Sequence, residues 1–407
     1  MTTAPVEGVA AHTASSETDP VTRAGDRPRV AGANLAWRQM PILAGLRRQV
    51  RSDRPLLGWP VAAALHVSLE TAHLMVTLKD AGARLLLFAS NPGTLDPAAV
   101  EELRRRAIRI VAHDDGPGPA AELARFQPRL LIDNASLLTA CANDPALAAG
   151  LVGATVHSRN AERATRELLA GGAPLTVPVI PVADSVLKSA IETPAGTGQS
   201  TVHALVRATG VQLSGKRAVV VGYGTAGTGI ARYLRGMNCR VTVVDTSAIA
   251  CLRALSDGHD VATLDTALDS ADIAIVATGT RGVITARQVD LLADGILLGN
   301  IGHHADAVDV PALARAASRV TDLGDGVTEY TVNGRSIFLL GGGNQLNHVC
   351  AAGNSSETMD LTLSLHVLCL LELAGKSGRF GPGLNSLPES FAETVARAKL
   401  RALGVAA

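Results

Sequence analysis

Along the chain, short apolar runs alternate with segments whose apolar positions recur at helical spacing. Ala62 to Val67 is an apolar run interrupted only by His66 and reads as a buried strand, and Leu69 to Ala81 follows with helical spacing. Arg84 to Phe88, Ile108 to Ala112 and Leu130 to Asp133 read as further strands, with helices at Val100 to Ala107 and Ala120 to Phe126 between them. This β-α alternation predicts a parallel sheet with covering helices. A second alternating block begins near residue 215. Arg217 to Val221 reads as a strand, Gly222 to Gly229 is glycine-rich, and Ile230 to Arg235 is helical. Strands are expected at Val241 to Asp245, Ala271 to Ala277, Ile296 to Asn300 and Ser336 to Leu340, after which Gly341, Gly342 and Gly343 are expected to break the pattern. Thr358 to Ala374 reads as one long apolar helix, followed by a Gly/Pro loop over Gly375 to Pro388 and a final helix over Glu389 to Leu403. No internal repeat is visible.

Composition narrows this picture. At 407 residues the chain is too long for one compact domain, so two are expected. Apolar residues make up 47% and charged residues 18%, enough for a large core. Aromatics are only 2%, which argues against a base-stacking nucleic-acid platform. Lys plus Arg and Asp plus Glu are both 37, so no net charge draws the chain to nucleic acid or to an anionic membrane. The five cysteines, Cys141, Cys239, Cys251, Cys350 and Cys369, are scattered without CxxC spacing. They predict neither a disulfide framework nor a metal site, and they suit a cytoplasmic location. The first 30 residues carry no apolar stretch and read as a disordered tail.

The strongest chemical signal is Val219-Val220-Val221-Gly222-Tyr223-Gly224-Thr225-Ala226-Gly227, a G-x-G-x-x-G directly after a strand and before a helix. In that context Gly222 serves a tight turn, Gly224 lets the backbone approach a pyrophosphate, and Gly227 lets helix and strand pack. The pyrophosphate would meet the helix N-terminus. Asp245 closes the next strand about 20 residues on, where a carboxylate takes a ribose 2′-OH and favours NAD over NADP. The expected class is α/β: a Rossmann NAD-binding domain inserted into a Rossmann-like α/β substrate domain. The expected boundaries are a tail over 1–30, a substrate-binding domain over 31–195, the NAD domain over 196–352, and C-terminal helices over 353–407 that return to the substrate domain.

With that motif in view, the chain resembles the S-adenosylhomocysteine hydrolase (adenosylhomocysteinase) family from about Met40 to Gly404. The resemblance rests on Leu65-His66-Val67-Ser68-Leu69-Glu70-Thr71, Ala183-Asp184-Ser185-Val186-Leu187-Lys188, Gly196-Thr197-Gly198-Gln199-Ser200, Gly222 to Gly229, and Asn300-Ile301-Gly302-His303. It implies a tightly held NAD that oxidises the ribose C3′, which acidifies the C4′ proton. Elimination of the 5′ substituent, addition of water and re-reduction follow. His66 falls on the position that serves the 5′ leaving group or water, and Ser68 and Glu70 on positions that bind adenine. Lys188 falls on the base for the 3′-OH, and His303 on the histidine of the NIGH motif. Thr278 and Asn347 match positions near the nicotinamide, with Gly279, Asn300 and Ile301 beside them. A lysine acts as a base only when neutral, and burial favours that form. Glu192 is close enough in sequence to relay its proton, whereas His304 is expected to be structural. The resemblance also implies an adenine-nucleoside substrate and a homo-oligomer, dimer or tetramer.

The departures cluster around the sugar. Asn134 stands where the family has an aspartate, His157 where it has a ribose-binding glutamate, and Ser158, Arg159 and Asn160 where it has NAD-contacting threonines. Glu192-Thr193 replaces an Asp-Asn pair, Asn354 replaces a histidine ahead of Met359, and the family's C-terminal Lys/Tyr-rich tail is not seen before Ala407. The glycines, Lys188, His66 and His303 are kept. That contrast suggests a working redox engine turned to another nucleoside. The first expectation is a dehydratase that expels water from an adenine nucleoside and leaves an unsaturated sugar of the angustmycin type, as in antibiotic biosynthesis. Water is a worse leaving group than a thiol by about 10 kcal/mol, so acid assistance from His66, His303 or His157 becomes necessary. The alternatives are S-adenosylhomocysteine hydrolysis and a non-catalytic NAD-binding partner protein.

Overall fold

The computed structural model describes residues 33–112, 118–134, 137–171, 176–375 and 378–406; the tail expected over residues 1–30 lies outside them. Two sheets organise these residues. The first contains β1 (Pro60–Leu65), β2 (Arg84–Ala89), β3 (Arg109–Val111), β4 (Leu130–Asp133), β5 (Gly153–Val156) and β6 (Pro178–Pro181). The second contains β7 (Arg217–Val221), β8 (Arg240–Val244), β9 (Asp260–Val261), β10 (Ile273–Val276), β11 (Ile296–Asn300), β12 (Ala317–Gly324), β13 (Val327–Val332) and β14 (Arg335–Gln345). A short β15 (Gly383–Leu384) then returns to the first sheet beside β6. The strand orders are β15-β6-β5-β4-β1-β2-β3 and β12-β13-β14-β11-β10-β7-β8-β9. All pairings in the first sheet are parallel, and only the β12-β13-β14 edge of the second is antiparallel.

Both faces of each sheet are covered, which is why the central strands carry continuous apolar runs rather than an alternating pattern. Within β1, Val61, Ala63 and Leu65 enter one core cluster while Ala62 and Ala64 enter another. Within β7, Ala218 and Val220 point to one side and Val219 and Val221 to the other. The apolar helix expected over Thr358 to Ala374 spans Ser356–Ala374 and packs into the core of the first sheet. The chain therefore leaves the first sheet after β6, builds the second, and comes back.

Several expected bounds move for local reasons. The helix expected from Val100 begins at Pro97, because Asp96 caps it and proline is favoured in the first turn. The helix expected from Ile230 begins at Thr225, inside the glycine-rich segment. The three glycines do not end the last strand. β14 continues through them to Gln345, with φ of 69°, 58° and 85° at Gly341, Gly342 and Gly343, and its register against β11 shifts between Gly299 and Asn300. The segment Leu187–Thr197, which had no expected structure, is a π-helix carrying Pro194. Among the described residues, no helix is long and apolar enough to cross a membrane.

Candidate active site

Strand order reverses between β1 and β4 in the first sheet and between β7 and β10 in the second. At such switch points the loops after neighbouring strands diverge and open a crevice at the carboxyl ends. His66 and Ser68 follow β1, Asn134 follows β4, and His157 and Ser158 follow β5. Gly224 follows β7, Thr278 and Gly279 follow β10, and Ile301 and His303 follow β11. All of these side chains and loops line one cleft of about 460 Å³.

Lys188 sits at its centre, near the start of the π-helix. Its Nζ is 2.5 Å from Glu192 Oε2, one turn along, and 3.3 Å from His157 Nε2. Glu192 is fully buried and saturated with donors: besides Lys188, the Thr193 hydroxyl donates to Oε2 at 3.1 Å and Asn354 Nδ2 to Oε1 at 2.7 Å. Asn354 in turn accepts from Thr197 and Ser200. The amide at position 354 therefore holds the carboxylate that holds the lysine. Asn134 Oδ1 is buried with no partner among the described residues, leaving an acceptor free in the cleft wall.

Burial disfavours the charged forms of His66, His157 and His303. Burial holds His66 far below the ordinary histidine range, with His348, His303 and Lys188 adding to the effect. Burial lowers His157 strongly too, ahead of Lys188 and His366. The ring of His303 is reachable from the open cleft, but the walls still desolvate it, and with His304 and Lys188 they push it down to about 4. Hydrogen bonding fixes the tautomer of His66. The Thr94 hydroxyl donates to Asn91 O at 2.8 Å, so it accepts from His66 Nδ1 at 2.8 Å and leaves Nε2 as the bare nitrogen. His348 stacks on His66 with ring centroids 4.3 Å apart.

At one end of the cleft Glu70 accepts from Ser356 at 2.5 Å, and burial raises its carboxyl above the usual range despite hydrogen bonds from Ser356 and Ser68. Met359 lies beside it on the wall. The other end fits a dinucleotide. The helix Thr225–Gly236 has Gly224 as N-cap and no side-chain cap, so its first amides, including those of Thr225 and Ala226, are open to a phosphate. A Cβ on Gly224 would meet nothing within 4 Å, whereas one on Gly227 would lie 1.8 Å from Gly222 O, and Gly222 itself has φ of 98°. Asn347 Nδ2 donates to Ser200 while its buried Oδ1 has no partner among the described residues, as a carboxamide acceptor requires. Asn160 and Ser158 also line the wall, with Ser158 capping the helix Arg159–Ala170.

Four expected cofactor residues do not face the cleft. Gly222 and Gly227 shape the turn from behind. Asp245 accepts from the Tyr223 amide at 2.6 Å and the Ser247 amide at 2.8 Å, bracing the turn from the next strand. The Asn300 side chain turns inward. Its amide donates to Gly302, His304 and Gly343 carbonyls and accepts from the Gly302 amide, all at 2.8–3.1 Å and fully buried. It shapes the loop that presents His303, its side-chain amide fully engaged within the protein. The expectation missed His348, His366 and Ser356. A fully buried histidine in an otherwise apolar helix, His366, was the signal available for one of them.

Residues 195–353 match the family model described as the S-adenosyl-L-homocysteine hydrolase, NAD binding domain. The chain is 35% identical over 378 residues to an adenosylhomocysteinase of Aeropyrum pernix and 34% identical over 379 residues to one of Sulfolobus acidocaldarius, covering 91% of both chains in each case. It is 31% identical over 375 residues to an S-inosyl-L-homocysteine hydrolase of Methanopyrus kandleri, covering 90% of this chain and 88% of that protein. NAD is the cofactor of the domain these matches share, and the uncapped helix, the open Gly224 and the bare Asn347 oxygen are consistent with it.

Proposed function

Because the chain belongs to the S-adenosyl-L-homocysteine hydrolase family and is an NAD-dependent enzyme of that type, we propose that it hydrolyses the thioether of an S-nucleosyl-L-homocysteine, S-adenosyl-L-homocysteine first. Bound NAD supplies reversible two-electron oxidation of a carbon that carries a hydroxyl group. Lys188 takes the proton of that hydroxyl, and Glu192 balances the ammonium so formed. Glu70, Ser68 and Met359 hold the base, and Asn134, Thr193 and Asn354 surround the sugar and its 5′ side. Gly224, Thr225 and Ala226 hold the pyrophosphate, Asp245 the adenosine ribose, and Thr278, Gly279, Ile301, Ser158, Asn160 and Asn347 the nicotinamide side.

The observation that carries the reading is the state of His66. It is neutral, with Nε2 bare. A thiolate leaves without a proton, since a thiol has a pKa of about 8.5. A bare imidazole nitrogen is then what is needed to activate the water that adds. A second reading, expulsion of water, is favoured by His157 and Asn354, which change the surroundings of the sugar. It needs a proton donor at the 5′ position, and burial keeps His66, His157 and His303 from carrying that proton.

One experiment separates them. NAD-loaded enzyme is given S-adenosyl-L-homocysteine, S-inosyl-L-homocysteine and a panel of 5′-hydroxy adenine nucleosides. A thiol reagent and mass spectrometry read the products. Release of homocysteine supports the hydrolase. A product lighter by two hydrogens and one oxygen, without thiol release, overturns it in favour of the dehydratase. NAD that never becomes NADH with any of them marks a non-catalytic binding protein. We further place the boundaries at 31–195, 196–352 and 353–407, and expect a cytoplasmic homo-oligomer.

A further inference from the structure

Behind Lys188 runs a chain of hydrogen bonds that the reaction scheme does not use. Lys188 Nζ is 3.3 Å from His157 Nε2, His157 Nδ1 is 3.0 Å from His366 Nε2, and His366 Nδ1 is 2.7 Å from the Thr155 hydroxyl. The Thr155 hydroxyl donates to Leu131 O at 3.3 Å. His366 and Thr155 are fully inaccessible and His157 is buried. Each ring nitrogen of His366 therefore faces one partner and no solvent, while His157 connects it to the cleft wall.

The polarity of the chain follows from its Thr155 end. Thr155 has one proton, and it goes to Leu131 O, so Thr155 accepts from His366 Nδ1. That leaves His366 Nε2 bare, so His157 Nδ1 donates to it, and His157 Nε2 is bare in turn. At the other end that bare nitrogen lies 3.3 Å from Lys188 Nζ and accepts an N–H from it. The direction is thus set from the Thr155 end.

We propose that Thr155 and His366 act as a tautomer lock on His157, and that the lock aims the lone pair of Lys188 into the cleft. The inference rests on Lys188 being the base. A neutral amine has two N–H bonds and one lone pair. With Glu192 Oε2 and His157 Nε2 accepting the two N–H bonds, the lone pair takes the remaining vertex, on the cleft side. In the proton transfer the substrate O–H bond breaks, its electron pair stays on oxygen, and a new N–H bond forms at that vertex. If the chain ran the other way, His157 Nε2–H would donate to the lone pair and block the base. His157 and His366 are positioning residues in this scheme. The charged and titratable groups that face the chain are Lys188, Glu192 through Lys188, and the neutral His66 and His303.

The test uses NAD-loaded enzyme labelled with ¹⁵N-histidine. Solid-state ¹⁵N spectra read which ring nitrogens are protonated, and His157→Gln and His366→Gln assign the signals by difference. Wild type is expected to show His157 with Nδ1 protonated and Nε2 bare. His366→Leu, and Thr155→Val as a second variant that keeps shape, are expected to show both tautomers of His157. In nucleoside-dependent NADH formation, kcat falls on the order of 10²-fold in both with KM unchanged, and His366→Gln, which again offers an acceptor, restores most of it. A protonated Nε2 on His157 in wild type overturns the lock. So does mixed tautomerism with unchanged kcat, or a fall in KM and kcat alike. If no nucleoside reduces NAD in wild type, the functional reading fails, while the spectra still decide the lock on their own.

Discussion

Two glycines of the fingerprint are expected to fail in different ways when each is changed to alanine. A Cβ on Gly227 would sit 1.8 Å from Gly222 O and 2.9 Å from Gly222 C, both backbone atoms, so the turn and the helix must part by more than 1 Å. Overpacking of this kind costs about 3 kcal/mol where no flexible side chain can yield. That is a fall in Tm of roughly 6–12 °C for a domain of this size. Gly224 has φ of −73°, open to alanine, and no atom within 4 Å of the added Cβ. Gly224→Ala therefore leaves the melting temperature of the NAD-free protein near that of wild type. The methyl group does stand over the uncapped amides of the helix. Losing one charge-assisted hydrogen bond there costs about 1.5–3 kcal/mol, or roughly 10–100-fold in the Kd for NAD. Calorimetric melting of the apo proteins and titration calorimetry with NAD read the two effects separately. NAD should also raise the Tm of Gly224→Ala less than that of wild type, because stabilisation by a ligand scales with the logarithm of concentration over Kd. Wild-type NAD affinity in Gly224→Ala, or a wild-type Tm in Gly227→Ala, refutes this account of the loop.

Lys188→Ala should abolish nucleoside-dependent NADH formation, read at 340 nm, while NAD stays bound. Normal NADH accumulation would remove Lys188 from the role of base. Ser356→Ala deprives buried Glu70 of its hydroxyl partner and should raise KM for the nucleoside about tenfold, with NAD affinity unchanged by calorimetry. Gly229→Ala would put a Cβ 2.2 Å from Pro194 O, and stopped-flow reduction of NAD by nucleoside should show a lower rate with near-normal Kd for NAD. His73, 2% exposed, is pushed down to about 4 by burial and then by Arg47 and Arg106. Its folded pKa lies below the unfolded value, so wild type loses stability as pH falls from about 6.5 to 4. His73→Gln escapes that loss, about 3 kcal/mol by pH 4. Urea melts across that range should show the gap narrowing or reversing as pH falls, and a pH-independent gap would sink the prediction.

The central strands were legible because they are buried on both faces, and their apolar runs announce it. β5 and β6 were not. Gly153–Val156 is broken by Gly153 and Thr155, and Pro178–Pro181 by a proline at each end, so neither shows the unbroken apolar run that marked the other short strands. β12 and β13 were missed because the exposed edge strand β12 carries Arg319, Thr321 and Asp322 in place of a buried run. The fingerprint turn was readable from local spacing, since Gly227 serves Gly222 five residues back, although Gly222 itself also makes room for the backbone of Ala277 and Thr278 just after the neighbouring strand. The catalytic grouping was not. It was set out from family resemblance, and the partners that complete it lie far away in the chain. Asn354 reaches Glu192 across 162 positions and His366 reaches His157 across 209. Asn300 adds something its motif does not announce: its four side-chain hydrogen bonds go to its own loop and to the neighbouring strand.

The segment from Leu187 to Thr209 explains how a base in one sheet's territory stays registered to a cofactor held by the other. Lys188 starts the π-helix, and the π-helix passes directly into the helix Gly198–Thr209, which packs against the fingerprint helix Thr225–Gly236. The contact is too close at its glycines for a side chain, with the Tyr233 ring packed beside Gly198. Cβ atoms on Gly198 and Gly229 would lie 2.7 Å from Gly229 O and 2.2 Å from Pro194 O respectively. Pro194 has no N–H to offer a carbonyl one turn back, and the wider turn of the π-helix accommodates that, while its own carbonyl faces Gly229. The helix whose open amides are proposed for the pyrophosphate is thus packed closely against the segment that carries Lys188 and Glu192. A shift of either moves both. Close registry matters here because misplacement of reacting groups by about 1 Å costs on the order of 10²-fold in rate. The changed sugar contacts at His157 and Asn354 attach to this same unit, through Lys188 and Glu192, so the chain can alter what surrounds the sugar while the distance from base to cofactor stays fixed.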